Sequence, residues 1–271
     1  MRDVDASARK GDTTLRIALG EYDTGWQQPE GSLDRASVCV ARAASTGARL
    51  VVLPEMCTTG FTMSPDKWAE GIDGPSFARL STIAAIHDVW LIAGVAMRVA
   101  SGYENVAAVF TPEGSLVATY AKQRLFSPAR EHEHYSAGTV PVVIDVDGVR
   151  VSPFICYDLR FPELFRAAAP WCDVMVVIAN WPAVRRPHWD ALLPARAIEN
   201  LSYVVGVNRT GFGDGLQYDG GSTAYDPWGQ AASMRTAVAS PSVVDVSTER
   251  VRSIREKYPF LVDFERAAAT V

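Results

Sequence analysis

Apolar residues in this chain come in short blocks, some alternating with polar residues and some continuous, separated by turn formers. Leu-Arg-Ile-Ala-Leu over 15–19 alternates and predicts a first strand, while 34–44, rich in alanine, has helical spacing. Residues 49–55 are a continuous apolar run ending on Glu55, which predicts a strand covered on both faces. A Thr/Gly/Pro/Ser-rich loop follows over 57–67. A helix is predicted over 75–87, with Phe77, Leu80, Ile83 and Ile86 at helical spacing, and a buried strand over 90–97. Residues 103–110 and 116–121 predict a hairpin around Thr-Pro-Glu-Gly-Ser, with Lys122 at its end. A charged irregular loop spans 124–138. Residues 140–146 and 150–155 flank Asp147-Gly148, a strong hairpin signal. Strands at 174–179, 203–208, 221–225 and 243–246 follow, with a helix at 188–200 and a glycine-rich stretch over 211–221. A short charged helix and an irregular tail end the chain.

Strands and helices interleave and no linker divides the chain, so an α/β class is expected. Residues 1–13 read as a flexible N-terminal tail and 14–271 as one domain. The strands before Gly60 and the helices between them suggest one α/β layer. The hairpins in the middle and after Gly211 suggest a second sheet. Two mixed sheets face to face with helices outside, a four-layer α-β-β-α sandwich, is the architecture expected.

Composition narrows the function. The chain has 271 residues, 48% of them hydrophobic and 21% charged, which is ordinary for a globular protein with a real core. A net charge of −5 without a basic block argues against nucleic acid or an anionic membrane as partner. No apolar run reaches the roughly 20 residues that span a bilayer. Residues 1–14 lack the apolar segment of a secretory signal. Cys39, Cys57, Cys156 and Cys172 form no CxxC pair, so reduced thiols in the cytoplasm are expected. His132 and His134 alternate, but no nearby cysteine completes a zinc pattern, and they read as solvated loop residues. No phosphate or dinucleotide cradle occurs. Neither metal nor cofactor is therefore expected.

The candidate chemistry centres on 149–163, which reads as a strand, a sharp turn at Cys156 and the start of a helix. A thiol there would stand on a bend, beside backbone N–H groups that a helix start leaves unpaired. A free cysteine is more often a small buried hydrophobe, and that reading stays open on this stretch alone. Glu55 and Lys122 share the placement of Cys156, each at the end of a predicted strand, where sites assemble in α/β sheets. Singly, each also has a bland reading as a solvated charge.

Leu-Pro-Glu55, Tyr120-Ala-Lys122 and Cys156-Tyr-Asp-Leu-Arg160-Phe-Pro-Glu163 resemble, in order, the three signature segments of the nitrilase superfamily of carbon–nitrogen hydrolases. Asn180-Trp181-Pro182, His188-Trp189, Arg196 to Asn200 and Asn208-Arg209 resemble its downstream segments. The resemblance implies the sandwich fold and a homodimer or higher homo-oligomer. It implies Cys156 as nucleophile, Glu55 as general base then acid, and Lys122 with the Tyr157 N–H as oxyanion stabiliser. A second glutamate of the family falls at Glu131, with Glu133 as rival. Arg196, Glu199 and Asn200 read as structural, and Asp158 as the cap of the helix after the turn.

Within the superfamily, 131–138 and 180–189 look closest to the omega-amidases, which cleave the side-chain amide of 2-oxoglutaramate or 2-oxosuccinamate. That implies a small amide and water as reactants, with a cation to meet the α-carboxylate. Arg185 is the candidate, with Arg160 and Arg130 as rivals. Trp181 and Phe126 are expected to wall the pocket. Gln123-Arg124 replaces the group's usual Arg-His after the lysine, and Arg130 stands where a glycine is usual. Another carbon–nitrogen hydrolase activity on the same triad, or a non-catalytic binding member, are the alternatives.

Overall fold

The computed structural model describes residues 11–235 and 240–263. Its strands are β1 (Thr14–Leu19), β2 (Leu50–Val52), β3 (Trp90–Val99), β4 (Gly102–Phe110), β5 (Leu116–Ala121), β6 (Ile144–Val146) and β7 (Val149–Ile155). They continue with β8 (Val174–Ala179), β9 (Tyr203–Asn208), β10 (Thr210–Gly213), β11 (Leu216–Asp219), β12 (Thr223–Tyr225), β13 (Met234–Arg235) and β14 (Ser242–Ser247). The α-helices are α1 (Pro29–Ala44), α2 (Pro65–Trp68), α3 (Pro75–His87), α4 (Pro162–Ala168), α5 (Arg186–Asn200) and α6 (Thr248–Lys257). A seven-stranded sheet runs β13-β14-β1-β2-β3-β4-β5, and a five-stranded sheet β12-β9-β8-β7-β6. Both are mixed: β1-β2-β3 and β7-β8-β9 are parallel, with antiparallel strands at the edges.

The period of two along the central strands decides the layers. Leu15, Ile17 and Leu19 of β1, with Leu50 and Val52 of β2, pack in one core with Val151, Phe154, Val176 and Val205 of the second sheet. The alternate residues, Ala18 and Val51, with Leu53 beyond the strand, pack in another core with Leu33, Ala36 and Val40 of α1 and Phe77, Leu80 and Ile83 of α3. Leu164, Phe165, Trp189 and Leu193 cover the outer face of the second sheet. The result is helices, sheet, sheet, helices, as the run of continuous apolar strands predicts. Each fully buried aliphatic side chain contributes about 1.5–3 kcal/mol, so both faces of both sheets are strongly specified. Among the described residues, no helix is long and apolar enough to cross a membrane.

Three expectations change. The hairpin β4-β5 joins the first sheet, not the second, because β3 pairs antiparallel with β4 from Leu91↔Phe110 to Val99↔Gly102. The strand expected over 140–146 shortens to Ile144–Val146, since only three residues pair with β7. The glycine-rich stretch is itself a hairpin, β10-β11, in register from Thr210↔Asp219 to Gly213↔Leu216 and outside both large sheets. The tail expected over 1–13 lies outside the described residues up to residue 10. Of its remainder, Thr13 donates its N–H to Thr248 Oγ1 (3.0 Å), and Asp12 pairs with Arg252 (2.8 Å). The C-terminal end from 264 on also lies outside the described residues.

One glycine places the site. A Cβ on Gly94 of β3 would stand 2.5 Å from Glu55 Cα and from Met56 N. The chain leaving β2 crosses β3 here, with Cys57 N–H donating to Gly94 O at 2.8 Å. Only a residue without a side chain lets Glu55 be carried in over the sheet.

Candidate active site

Cys156 begins a 3-10 turn, Cys156–Arg160, directly after β7, with φ of +46°. A non-glycine residue in this left-handed region costs about 1–3 kcal/mol and persists only where its surroundings hold it. Here the surroundings do. Asp158 Oδ2 accepts the Ile155 N–H (2.9 Å) and the Tyr120 hydroxyl (2.8 Å), and Oδ1 accepts the Arg124 N–H (2.8 Å). Burial raises the Asp158 carboxyl to about 6. Arg196 donates twice to Leu159 O, at 2.7 and 3.1 Å, and bonds Glu199 at 2.9 Å, so that pair locks the turn from α5. Asp158 therefore caps the 3-10 turn rather than α4, whose N-cap is Phe161 without a side-chain cap. The reason is local: the short turn places the Asp158 carboxylate back over the Ile155 N–H.

Glu55 and Lys122 follow the ends of β2 and β5, and both are fully buried, as is Glu131 from the loop after β5. Lys122 Nζ donates to Glu55 Oε1 at 2.8 Å and to Glu131 Oε2 and Oε1 at 2.9 and 3.1 Å. Glu131 Oε2 also accepts the Phe126 N–H at 2.6 Å, and Glu55 Oε2 accepts the Asn180 N–H at 2.8 Å. Asn180, just past β8, further donates its side-chain amide to Glu55 O at 2.6 Å. Glu55 is thus clamped between the two sheets. Burial opposes the charge on Lys122, but the carboxylates of Glu131 and Glu55 outweigh it and hold the ammonium well above its usual range. Burial, and then the Glu55 carboxylate, push the Cys156 thiol well up, with Lys122 pulling the other way. Burial thus favours the neutral thiol, beside the Glu55 carboxylate. Glu133, the rival of Glu131, points outward and pairs with Arg130 (2.7 Å), which is 73% exposed. His132 and His134 are exposed.

A cavity of about 350 Å³ opens onto Cys156. Phe61, Phe126, Tyr157, Trp181 and Tyr218 wall it, and Arg160 and Arg185 stand at it. The Arg185 guanidinium lies 5.1 Å from the Phe126 ring centre, and Trp181 Nε1 donates to Arg185 O at 2.8 Å. The Arg160 guanidinium lies 4.9 Å from the Trp181 ring and bonds His188 Nδ1 at 3.0 Å. Trp181 is held by a reciprocal pair with Asn208: its N–H donates to Oδ1 (2.8 Å), and its carbonyl accepts from Nδ2 (2.9 Å). The arrangement offers a nucleophile beside a base, a buried cation and two arginines across an aromatic slot.

All the residues singled out in the sequence as Glu55, Lys122, Cys156, Glu131, Tyr157, Trp181, Arg185 and Phe126 converge here, while Arg130 does not line the cavity. Sequence reasoning missed Asn105, Phe61 and Tyr218. Asn105 had a signal: it is a lone amide beside the apolar run of β4. Tyr218 had none, since it rides on the β10-β11 hairpin of the glycine-rich stretch, where the sequence predicts no strand over 211–220. That hairpin is held by Arg209, buried and bonded to Asp23 (3.0 Å), Gly25 O and Phe212 O, with its guanidinium 4.6 Å from the Tyr218 ring.

Known proteins resemble this chain over most of its length. The family model described as carbon–nitrogen hydrolase matches residues 16–256. The omega-amidase YafV of Escherichia coli strain K12 is 40% identical over 217 residues, 79% of this chain and 83% of that protein. The 2-oxoglutaramate amidase of Bacillus subtilis is 31% identical over 253 residues, 92% of this chain and 97% of that protein. The crystal structure of XC1258 from Xanthomonas campestris, a CN-hydrolase superfamily protein with an arsenic adduct in its active site, superimposes with a TM-score of 0.86 at 34% identity. That match covers 93% of this chain and 97% of that one. A match spanning nearly the whole fold, with the clustered Glu55, Lys122 and Cys156 inside it, means that the chain belongs to the carbon–nitrogen hydrolase family.

Proposed function

We propose that this chain is a cysteine amidohydrolase that cleaves the side-chain amide of a small 2-oxo acid, 2-oxoglutaramate or 2-oxosuccinamate, to the acid and ammonia. The observation that carries the reading is the buried Lys122 bonded to both Glu55 and Glu131, facing Cys156 at the floor of a cavity that also holds two arginines. The names of the relatives, omega-amidase and 2-oxoglutaramate amidase, support the substrate class.

The amide enters with its carbonyl carbon over Sγ. Glu55 takes the thiol proton, and the sulfur forms a bond to the carbonyl carbon while the C=O electrons move to oxygen. Lys122 and the Tyr157 N–H stabilise that oxyanion. Moving a proton from thiol to Glu55 leaves the net charge of the buried cluster unchanged, which suits a site that water cannot screen. Glu131 keeps Lys122 paired while Glu55 is neutral. Collapse expels the nitrogen, which takes the Glu55 proton and leaves as ammonia, and a thioester remains on Cys156. Glu55 then takes a proton from water, the hydroxyl adds to the thioester, and the thiol leaves reprotonated. Arg185 meets the substrate carboxylate, with Arg160 across Trp181 as the second cation, and Trp181 and Phe126 form the walls. A reduced cytoplasmic setting suits a thiol nucleophile, and a homodimer is the assembly proposed.

The test is ammonia release from 2-oxoglutaramate by the purified protein, beside glutamine, asparagine and an aliphatic nitrile, with Cys156→Ala as control. Release from the 2-oxo acid amide that the control abolishes is the expected result. No release from it, while Cys156 still acylates with a reactive amide, discards the substrate and keeps the hydrolase.

A further inference from the structure

We infer that Asn105 is a positioning residue for the reaction: a neutral twin of Lys122 that holds Glu55 and Glu131 apart and leaves one Glu55 oxygen free for the thiol proton. Asn105 Nδ2 donates to Glu55 Oε1 at 2.8 Å and to Glu131 Oε1 at 3.0 Å. Lys122 Nζ donates to the same two oxygens, at 2.8 and 3.1 Å. Two donors and two acceptors thus close a ring. The backbone sets it up: Lys122 N–H donates to Asn105 O at 2.9 Å, so the ladder of β4 and β5 delivers both side chains together.

A second observation separates this arrangement from ordinary core packing. Asn105 is fully buried, and its Oδ1 has no hydrogen-bond partner among the described residues. Leaving a buried carbonyl oxygen unmade is destabilising, and such groups call for an explanation. Turning the amide over would aim Oδ1 at two carboxylates, which is worse. The position thus gives up a hydrogen bond on one side to place both N–H groups on the carboxylates.

The consequence lies in protonation. Two carboxylates held close tend to share a proton, because their charges repel. Each N–H that favours the ionised form opposes this. Glu55 Oε1 is then occupied by Lys122 and Asn105, while Oε2, which accepts only the Asn180 N–H among the described residues, is the oxygen presented to the thiol. The other titratable groups facing the cluster are Lys122, Cys156, Tyr135 and Tyr218, and burial raises both tyrosines so that they stay neutral at physiological pH. Asp158, raised to about 6, faces Lys122 from the turn and is unchanged in any Asn105 variant, so comparison with the native protein removes its contribution.

This inference rests on the role proposed for Glu55, so the test has a readout independent of turnover. The rate at which iodoacetamide alkylates Cys156 is followed by peptide mass across pH 4.5–8.5, alongside ammonia release, for the native chain, Asn105→Leu and Asn105→Thr. In Asn105→Leu the acid limb of both profiles is expected to move up by about one pH unit, one lost charge-assisted hydrogen bond being worth roughly that much. Asn105→Thr, which keeps one donor, should move it by less. An acid limb that stays in place in a folded Asn105→Leu overturns the inference. Should Asn105→Leu not fold, the limb of Asn105→Thr decides in the same way. A native protein that alkylates with an acid limb yet releases no ammonia would refute the substrate, not the role of Asn105.

Discussion

Replacing Lys122 with methionine tests the electrostatic core of the site. The substitution keeps most of the length of the side chain and removes the positive charge between two fully buried carboxylates. Removing one partner from a buried ion pair costs about 3–5 kcal/mol, because the remaining charges are neither solvated nor paired. A kilocalorie lowers Tm by about 2–4 °C in a domain near this size, so the loss at pH 8 should be roughly 6–20 °C. The variant can recover by binding a proton between Glu55 and Glu131. That proton is bound in the folded state at a pH where free glutamates, with a pKa of about 4.3, have lost it, so the variant's stability falls as pH rises. In the native chain the folded pKa of Lys122 is raised, so its contribution is fully present below about 10.5 and is lost only as pH rises beyond that. It is constant between pH 5 and 8.5. The Tm difference between native and variant should therefore shrink steadily from pH 8.5 to pH 5, measured by scanning calorimetry or dye fluorescence. Turnover should fall on the order of 10²–10³-fold or more at every pH, since acid restores the charge balance but not the oxyanion partner. A variant as stable as the native chain at pH 8, or a deficit that acid does not relieve, refutes the reasoning.

Arg185→Ala should raise KM for 2-oxoglutaramate on the order of 10–100-fold, as expected for lost charge-assisted bonds to a carboxylate, and leave a neutral aliphatic amide nearly unaffected. An equal effect on both removes Arg185 from that role, and Arg160→Ala in the same assay measures the second cation. Glu131→Gln should lower kcat on the order of 10²-fold, since one partner of Lys122 loses its charge, whereas Glu133→Gln, at the surface, should leave kcat and Tm as they are; the reverse ranking would exchange the two glutamates. Gly94→Ala places a methyl 2.5 Å from Glu55 Cα. It should destabilise by about 1–3 kcal/mol and lower kcat by displacing the base, and a fully active, equally stable variant would contradict the crossing described here.

Much of the site was legible because strand ends are legible. Glu55, Lys122 and Cys156 each follow an apolar run that stops abruptly on a polar or reactive residue, and three strands that end together bring such residues together. The choice of Glu131 over Glu133 was open in the sequence, because neighbouring glutamates in a loop look alike. The positive φ of Arg130, +57°, turns the chain between the two short 3-10 turns, so that Glu131 faces inward and Glu133 pairs back to Arg130. Asn105 and Tyr218 were missed for different reasons: Asn105 stands out as a lone amide beside the apolar run of β4, but its role does not. The partners of Asn105 lie 50 and 26 residues away, and nothing local marks an amide that has them. Tyr218 depends on a glycine-rich hairpin whose strand pairing is stabilised by the buried Arg209 rather than by its own apolar pattern.

The sequence by itself determined most of the order of strands and helices, the two-sided burial that calls for two covered sheets, and, through short motifs that resemble those of a known family, the candidates Glu55, Lys122 and Cys156. Those are properties of local pattern and residue chemistry, written within windows of a few residues. Which sheet each hairpin joined, which glutamate reached Lys122 and where Asp158 put its carboxylate were decided only in three dimensions. Each depends on pairing between distant segments, where hydrogen-bond geometry at around 3 Å selects among residues that the chain alone presents as equivalent.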